Sequence, residues 1–159
     1  LCKELLQNTL DELTAARARE GEKLKIILLE RLASMRQLTA EAAPLIPALV
    51  TAFQEKITAK LNDAIINSGD DRIRQELVLF ASKIDIDEEI SRLETHFDEV
   101  ERVLDKGGVV GKRLDFLMQE LNREANTIGS KSADSDLSKI SMELKILIEQ
   151  MREQVQNIE

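Results

Sequence analysis

Apolar residues recur at helical spacing along nearly the whole chain, and no stretch shows the strict alternation of a half-buried strand. From about residue 3 to about residue 40, Leu6, Leu10, Leu13, Leu24, Leu28, Leu32 and Met35 keep one face. Within that span Ala15 to Lys23 is nearly all polar or small, with Gly21 among them. Glycine costs about 1 kcal/mol against alanine inside a helix, so Gly21 predicts a bend or a close approach. A helix this long predicts projection from a small domain and pairing with another helix or subunit. Pro44 and Pro47 close it and set up the next start. A second helix carries Leu49, Val50, Phe53, Ile57, Leu61, Ala64 and Ile65, with Asn67-Ser68-Gly69 as its stop signal. A third starts at Asp70 or Asp71, with Ile73, Leu77, Phe80 and Ile84 as its core face. A fourth is capped by Asp85 or Asp87. Its Ile86, Ile90, Leu93, Phe97, Val100 and Leu104 make a heptad-like seam that predicts left-handed association with a neighbouring helix.

Lys106 to Gly111, KGGVVG, reads as a turn, because its glycine spacing matches neither the dinucleotide nor the P-loop pattern. Gly111 to Lys131, GKRLDFLMQELNREANTIGSK, is the fifth helix, with Leu114, Leu117, Met118, Leu121, Ala125 and Ile128 on its apolar side. One flank holds Asp115, Gln119, Asn122 and Asn126; the other holds Glu120, Arg123, Glu124, Thr127 and Lys131. Two Asn and a Thr are poor helix formers, so these flanks point to contacts rather than to solubility alone. A buried polar network between helices and a catalytic face both fit, and pattern alone favours the network. The helix gives out around Gly129, and Ser130 to Asp136 reads as a polar loop or Asx-type cap. A sixth helix follows from about Asp136 to the end, with Leu137, Ile140, Leu144, Leu147, Ile148, Met151, Val155 and Ile158 as its stripe. The predicted fold is all-α: about six helices in long antiparallel hairpins or a bundle, part of a larger oligomer.

Composition agrees with that class. The 159 residues are 43% hydrophobic and 33% charged, with two Pro, six Gly and no aromatic beyond four Phe, which argues against a sandwich or barrel. No apolar run approaches the roughly 20 residues needed to cross a bilayer, and no signal-peptide pattern is present. The first residue is Leu, as in an internal piece of a longer chain. Cys2 is the single cysteine, which excludes an intramolecular disulfide framework and a cysteine-based zinc site. A reducing, cytoplasmic setting is the expectation. The net charge of −8 taken alone disfavours nucleic acid. Its distribution is uneven, however: Asp85 to Glu101 holds eight acids and one base, whereas Lys106 to Lys131 holds five bases and three acids.

Candidate chemistry concentrates in the second half. His96, the only histidine, shares a helical flank with Glu89, Arg92 and Glu99. It is placed to act as general acid or base beside a carboxylate, although a lone histidine next to a core is more often structural. Glu120 and Glu124 lie one turn apart around Arg123, and a hard divalent cation needs only two or three such acids plus water. Lys145, Glu149, Arg152 and Gln156 form a stripe on the last helix whose plain reading is a salt-bridge ladder worth about 0.2–0.5 kcal/mol per pair. Arg113, Arg123, Lys131, Lys145 and Arg152 could grip RNA phosphates, with Asn and Gln at ribose or base edges. Lacking Trp and Tyr, the chain offers few rings for reading single strands.

GKRLDFLMQELNREANTIGSK, followed by ELKILIEQMREQVQNIE at residues 143–159, resembles the C-terminal signature of the bacterial YicC/YloC-like endoribonuclease family. IDIDEEISRLETH and AREGEKLKIILLERL also resemble it, so the likeness covers nearly the whole chain. It implies a metal-dependent endoribonuclease of the bacterial cytoplasm, assembled as a ring-like hexamer and using Mn²⁺ or Mg²⁺. The family's E-x-x-R-x-x-x-H segment falls on Glu89, Arg92 and His96. Its central motif falls on Asp115, Gln119, Glu120, Asn122, Arg123, Glu124, Asn126, Thr127, Ser130 and Lys131, and its last on Lys145, Glu149, Arg152, Glu153, Gln154 and Asn157. Expected roles follow from the resemblance and the chemistry together. His96, which would transfer a proton, Glu120, Arg123 and Glu124 are catalytic. Arg92, Arg113, Asn122, Asn126, Lys131, Lys145 and Arg152 meet RNA, and Glu89, Glu120, Glu124 and Glu149 hold the metal. Residues 1–83 would be a helical hairpin region and 84–159 the signature domain, with the family's N-terminal α/β domain missing. The alternative is a non-catalytic oligomerisation or adaptor module that recruits another RNA-degrading enzyme.

Overall fold

The computed structural model describes residues 2–64, 70–132 and 134–156, and their side chains except at 53, 54, 57, 60–64 and 70–85. Within them lie five helices and no strand: α1 Cys2–Ala42, α2 Leu45–Ala64, α3 Asp70–Lys106, α4 Gly111–Lys131 and α5 Ser135–Val155. Pro44 sits in the turn after α1, and Pro47 in the first turn of α2, where a missing N–H costs nothing. Gly107 and Gly108 adopt φ of 65° and 87°, the left-handed conformation that stops α3 and reverses the chain. Asp134 caps α5, its carboxylate accepting from the Asp136 and Leu137 amides.

The core is a four-helix, up-down-up-down arrangement of the second half of α1, the later part of α3, α4 and α5. Its antiparallel order is read from paired contacts that run in opposite senses: Lys25–Asp105 with Arg36–Asp98, Lys131–Glu89 with Arg113–Glu99, and Ser141–Ala125 with Arg152–Asp115. The expected stripes supply it: Ile86, Ile90, Leu93, Phe97, Val100 and Leu104 from α3 meet Leu114, Leu117, Met118, Leu121, Ala125 and Ile128 from α4. Leu28, Leu32 and Met35 of α1 and Leu137, Leu144, Ile148 and Met151 of α5 close the other two sides, and Ile46 of α2 caps one end.

The structure departs from these expectations in several places. The third and fourth helices are one, α3, which runs through the expected caps at 85 and 87 and through the 83/84 boundary. No Gly or Pro lies between 70 and 106, and an interior Asp costs well under about 1 kcal/mol, so the acidic IDIDEE run is no stop. Of the α1 apolar face only the second half is core: Leu6, Leu10 and Leu13 are exposed, and the first buried residue is Leu28. Gly21 lies inside unbroken helix with nothing within 4 Å of where a Cβ would be, so it makes no close approach. Gly129 is likewise interior to α4, and there the reason is contact: a Cβ would meet Ser141 Oγ at 2.5 Å. The expectations for Ile65 and the stop signal at 67–69, for the side chains of Phe53, Ile57, Leu61, Ala64, Ile73, Leu77, Phe80 and Ile84, and for Asn157 and Ile158 lie outside the described residues.

Candidate functional site

The α3–α4 seam carries charged groups along its length. Positions 89, 92, 96 and 99 stack on one flank of α3 at one-turn intervals, and the antiparallel α4 answers with 113, 120, 124 and 131. At the glycine-turn end, Glu99 accepts from Arg102 Nε and Nη2, both at 2.7 Å, and from Arg113 Nη2 at 3.0 Å. Hydrogen bonds from Arg102 first and Arg113 second hold its carboxyl down at about 2. Midway, His96, Glu120 and Glu124 bring one ring nitrogen and two carboxylate oxygens within 4.8 Å of one another. Among the described residues this is the one such trio.

Beyond it two of the seam's carboxylates are buried. Glu89 and Glu124 are 6% and 4% exposed. Lys131 Nζ donates to Glu89 Oε1 at 3.1 Å, and Arg92 Nη1 lies 3.5 Å from Glu89 Oε2 and 3.9 Å from Glu124 Oε1. Arg92 Nη2 also donates to Glu88 at 2.6 Å. Burial, and then the neighbouring Glu89, push the Glu124 carboxyl up to about 7, with Arg92 and Arg123 opposing weakly. Glu89 shifts the other way: the hydrogen bond from Glu124 and then the one from Lys131 keep it below the usual carboxylate range, against its own desolvation. The two carboxylates thus have opposite tendencies, Glu124 toward the protonated form and Glu89 toward the ionised one. Glu89 Oε2 is buried with no hydrogen-bond partner.

The trio fits a divalent cation that accepts mixed nitrogen and oxygen ligands, so Mn²⁺ suits it better than Mg²⁺, which prefers an all-oxygen shell. Of the expected metal ligands, Glu89 lies beside the trio, tied to Lys131. Glu149 lies on α5, 3.7 Å from Arg152, which in turn reaches Asp115 at 3.6 Å on the opposite flank of α4. The structure thus separates Glu149 and Arg152 from His96, Glu120 and Glu124, and Lys145 is exposed on α5. Asn126 donates to Asn122 at 3.4 Å on that same opposite flank. Arg123 is exposed next to Glu124, whereas Arg92, Arg113 and Lys131 are engaged with acids. Sequence reasoning missed Glu88 and Arg102. Both stand three or four positions from a partner on the same helix, the spacing that could have found them.

A family described as "Endoribonuclease YicC-like, C-terminal" matches residues 42–159. The chain belongs to the YicC-like endoribonuclease family. It is 46% identical over 150 residues to a protein of Haemophilus influenzae named "Probable endoribonuclease YicC", covering 94% of this chain and 52% of that protein. A Clostridioides difficile protein of the same name is 32% identical over 162 residues, covering 100% of this chain and 55% of its own length. The chain thus spans about half the length of these YicC relatives. The matched region contains the whole α3–α4 seam.

Proposed function

We propose that this chain supplies the cation-binding part of a metal-dependent endoribonuclease. The observation that carries the reading is the convergence of His96, Glu120 and Glu124 within 4.8 Å in a chain of this family. The two carboxylates and one imidazole nitrogen would hold the cation, whose chemistry there is polarisation of a phosphoryl oxygen and neutralisation of its charge. This gives His96 a place among the ligands in preference to a free proton carrier. Arg123, exposed beside Glu124, holds an RNA phosphate. Arg92 and Lys131 balance Glu89 and so fix the buried wall against which Glu124 is oriented. Glu124 releases its proton for the cation to bind.

In the full-length protein, His96→Ala and Glu120→Gln should each lower cleavage of a fluorescent RNA at least tenfold while leaving melting temperature and oligomeric mass unchanged. Full activity in both variants would remove the assignment. A second reading, as an assembly or adaptor module, draws on the exposed Leu5, Leu6, Leu10 and Leu13 of α1. It predicts that highly purified full-length protein never cleaves RNA with Mn²⁺, and that cleavage returns when another RNA-degrading enzyme is added.

A further inference from the structure

Next to the trio is a cavity of about 380 Å³ that shares His96 with it and is bordered by Glu99, Arg102, Arg113 and Phe116. Its charges are already committed. Arg102 and Arg113 both bind Glu99, and Asp98, which also lines the cavity, binds Arg36 of α1. The two arginines and two acids that line it leave no surplus of either sign, so the cavity is poorly suited to seize a phosphate.

What remains available is a ring. Phe116 is 48% exposed, while Phe97 nearby is fully buried. The Arg113 guanidinium carbon lies 5.5 Å from the centre of the Phe116 ring, and its hydrogen bond to Glu99 fixes it there. Phe116 is off the apolar stripe of α4, so the core does not require it. A large ring held against an anchored guanidinium, half open in a cavity that touches the candidate cation site, has the make-up of a stacking surface for a flat, uncharged π-system. Every nucleobase has such a face.

We infer that Phe116 is a nucleobase-stacking residue, receiving the base of a nucleotide next to the phosphate that sits at His96, Glu120 and Glu124. This deepens the endoribonuclease reading and rests on it, and it assigns base contact to a ring where sequence alone suggested Asn and Gln. Phosphate contacts weaken as salt rises, because they release counterions. Stacking involves no such release, so its contribution stays constant across salt.

The test uses full-length protein and short fluorescent RNAs, intact or with one abasic position moved along the strand, in binding titrations without divalent cation and in cleavage assays with Mn²⁺. Phe116→Leu should weaken binding of intact RNA about tenfold, by the same factor at low and high salt, while Phe116→Tyr retains affinity. An abasic site at one position should weaken the unaltered protein by a similar factor and leave Phe116→Leu unaffected. RNA bound and cut normally by Phe116→Leu, with no abasic position distinguishing it from the parent, overturns the inference but not the endoribonuclease reading. A change in oligomeric mass without any base-dependent effect also overturns it, assigning Phe116 to contact between subunits. No RNA binding or cleavage by the unaltered protein overturns both.

Discussion

Glu124 governs the charge state of the buried seam. Its carboxyl ionises near 7 in the fold, against an ordinary value of 4.5. A raised carboxyl stabilises the fold fully below its unfolded value and loses that contribution as pH rises through the folded one. Cation-free protein should therefore become less stable between pH 4.5 and about 7. Urea midpoints measured across that window should fall for the parent and stay flatter for Glu124→Gln; equal slopes would show that Glu124 is not the group responsible. The juxtaposition behind this shift was only half legible. Glu89, Arg92 and His96 share a flank by simple periodicity, and so do Glu120 and Glu124. That the two flanks face each other depends on the crossing of α3 with α4, which one sequence cannot state. The same limit hid the capture of Arg113 by Glu99, fourteen residues away.

At the scale of elements, the α4–α5 hairpin depends on one small residue. Ser141 Oγ donates to the Ala125 carbonyl at 2.8 Å in a buried position, and the Gly129 backbone passes directly over it. Gly129→Ala brings a methyl into that hydroxyl. The helix-propensity gain of about 1 kcal/mol is then outweighed by crowding, which costs typically 1–3 kcal/mol. We expect a lower denaturant midpoint for Gly129→Ala and partial recovery when Ser141→Ala is added; a variant more stable than the parent would refute the contact. From sequence Gly129 looked like a helix end, because glycine serves both as a stop and as a close-approach residue and only the neighbour distinguishes them. Helix identity was otherwise well encoded. The α4 stripe from Leu114 to Ile128 is buried throughout, whereas the false break near Asp85 came from weighting acidic caps above the unbroken run of helix formers.

For the whole molecule, burial is concentrated at one end of α1. None of the residues 2–27 is buried, so this segment adds little to the fold that holds the seam. Deleting residues 2–20 should shift the melting temperature by less than about 3 °C, while any association through Leu5, Leu6, Leu10 and Leu13 would be lost in sedimentation. A large fall in melting temperature at concentrations where the parent is monomeric would contradict this picture. Helical periodicity put Leu6, Leu10 and Leu13 on one face with the buried Leu28, Leu32 and Met35, because it reports amphipathicity, not what the apolar face meets.

The uninterrupted course of α3 has a mechanical consequence. Its 37 residues make a rod of about 55 Å, with no Gly or Pro at which to flex. If it pivots at Ile86 by about 10°, its first turn sweeps about 4 Å and His96 moves about 2.5 Å by the helical rise alone. Cation–ligand distances tolerate only about 0.2 Å. If the trio holds a cation as proposed, a displacement of the outer, Asp70 end of this rod would change how closely His96 meets Glu120 and Glu124 only as far as the core contacts of Ile90, Leu93 and Phe97 yield.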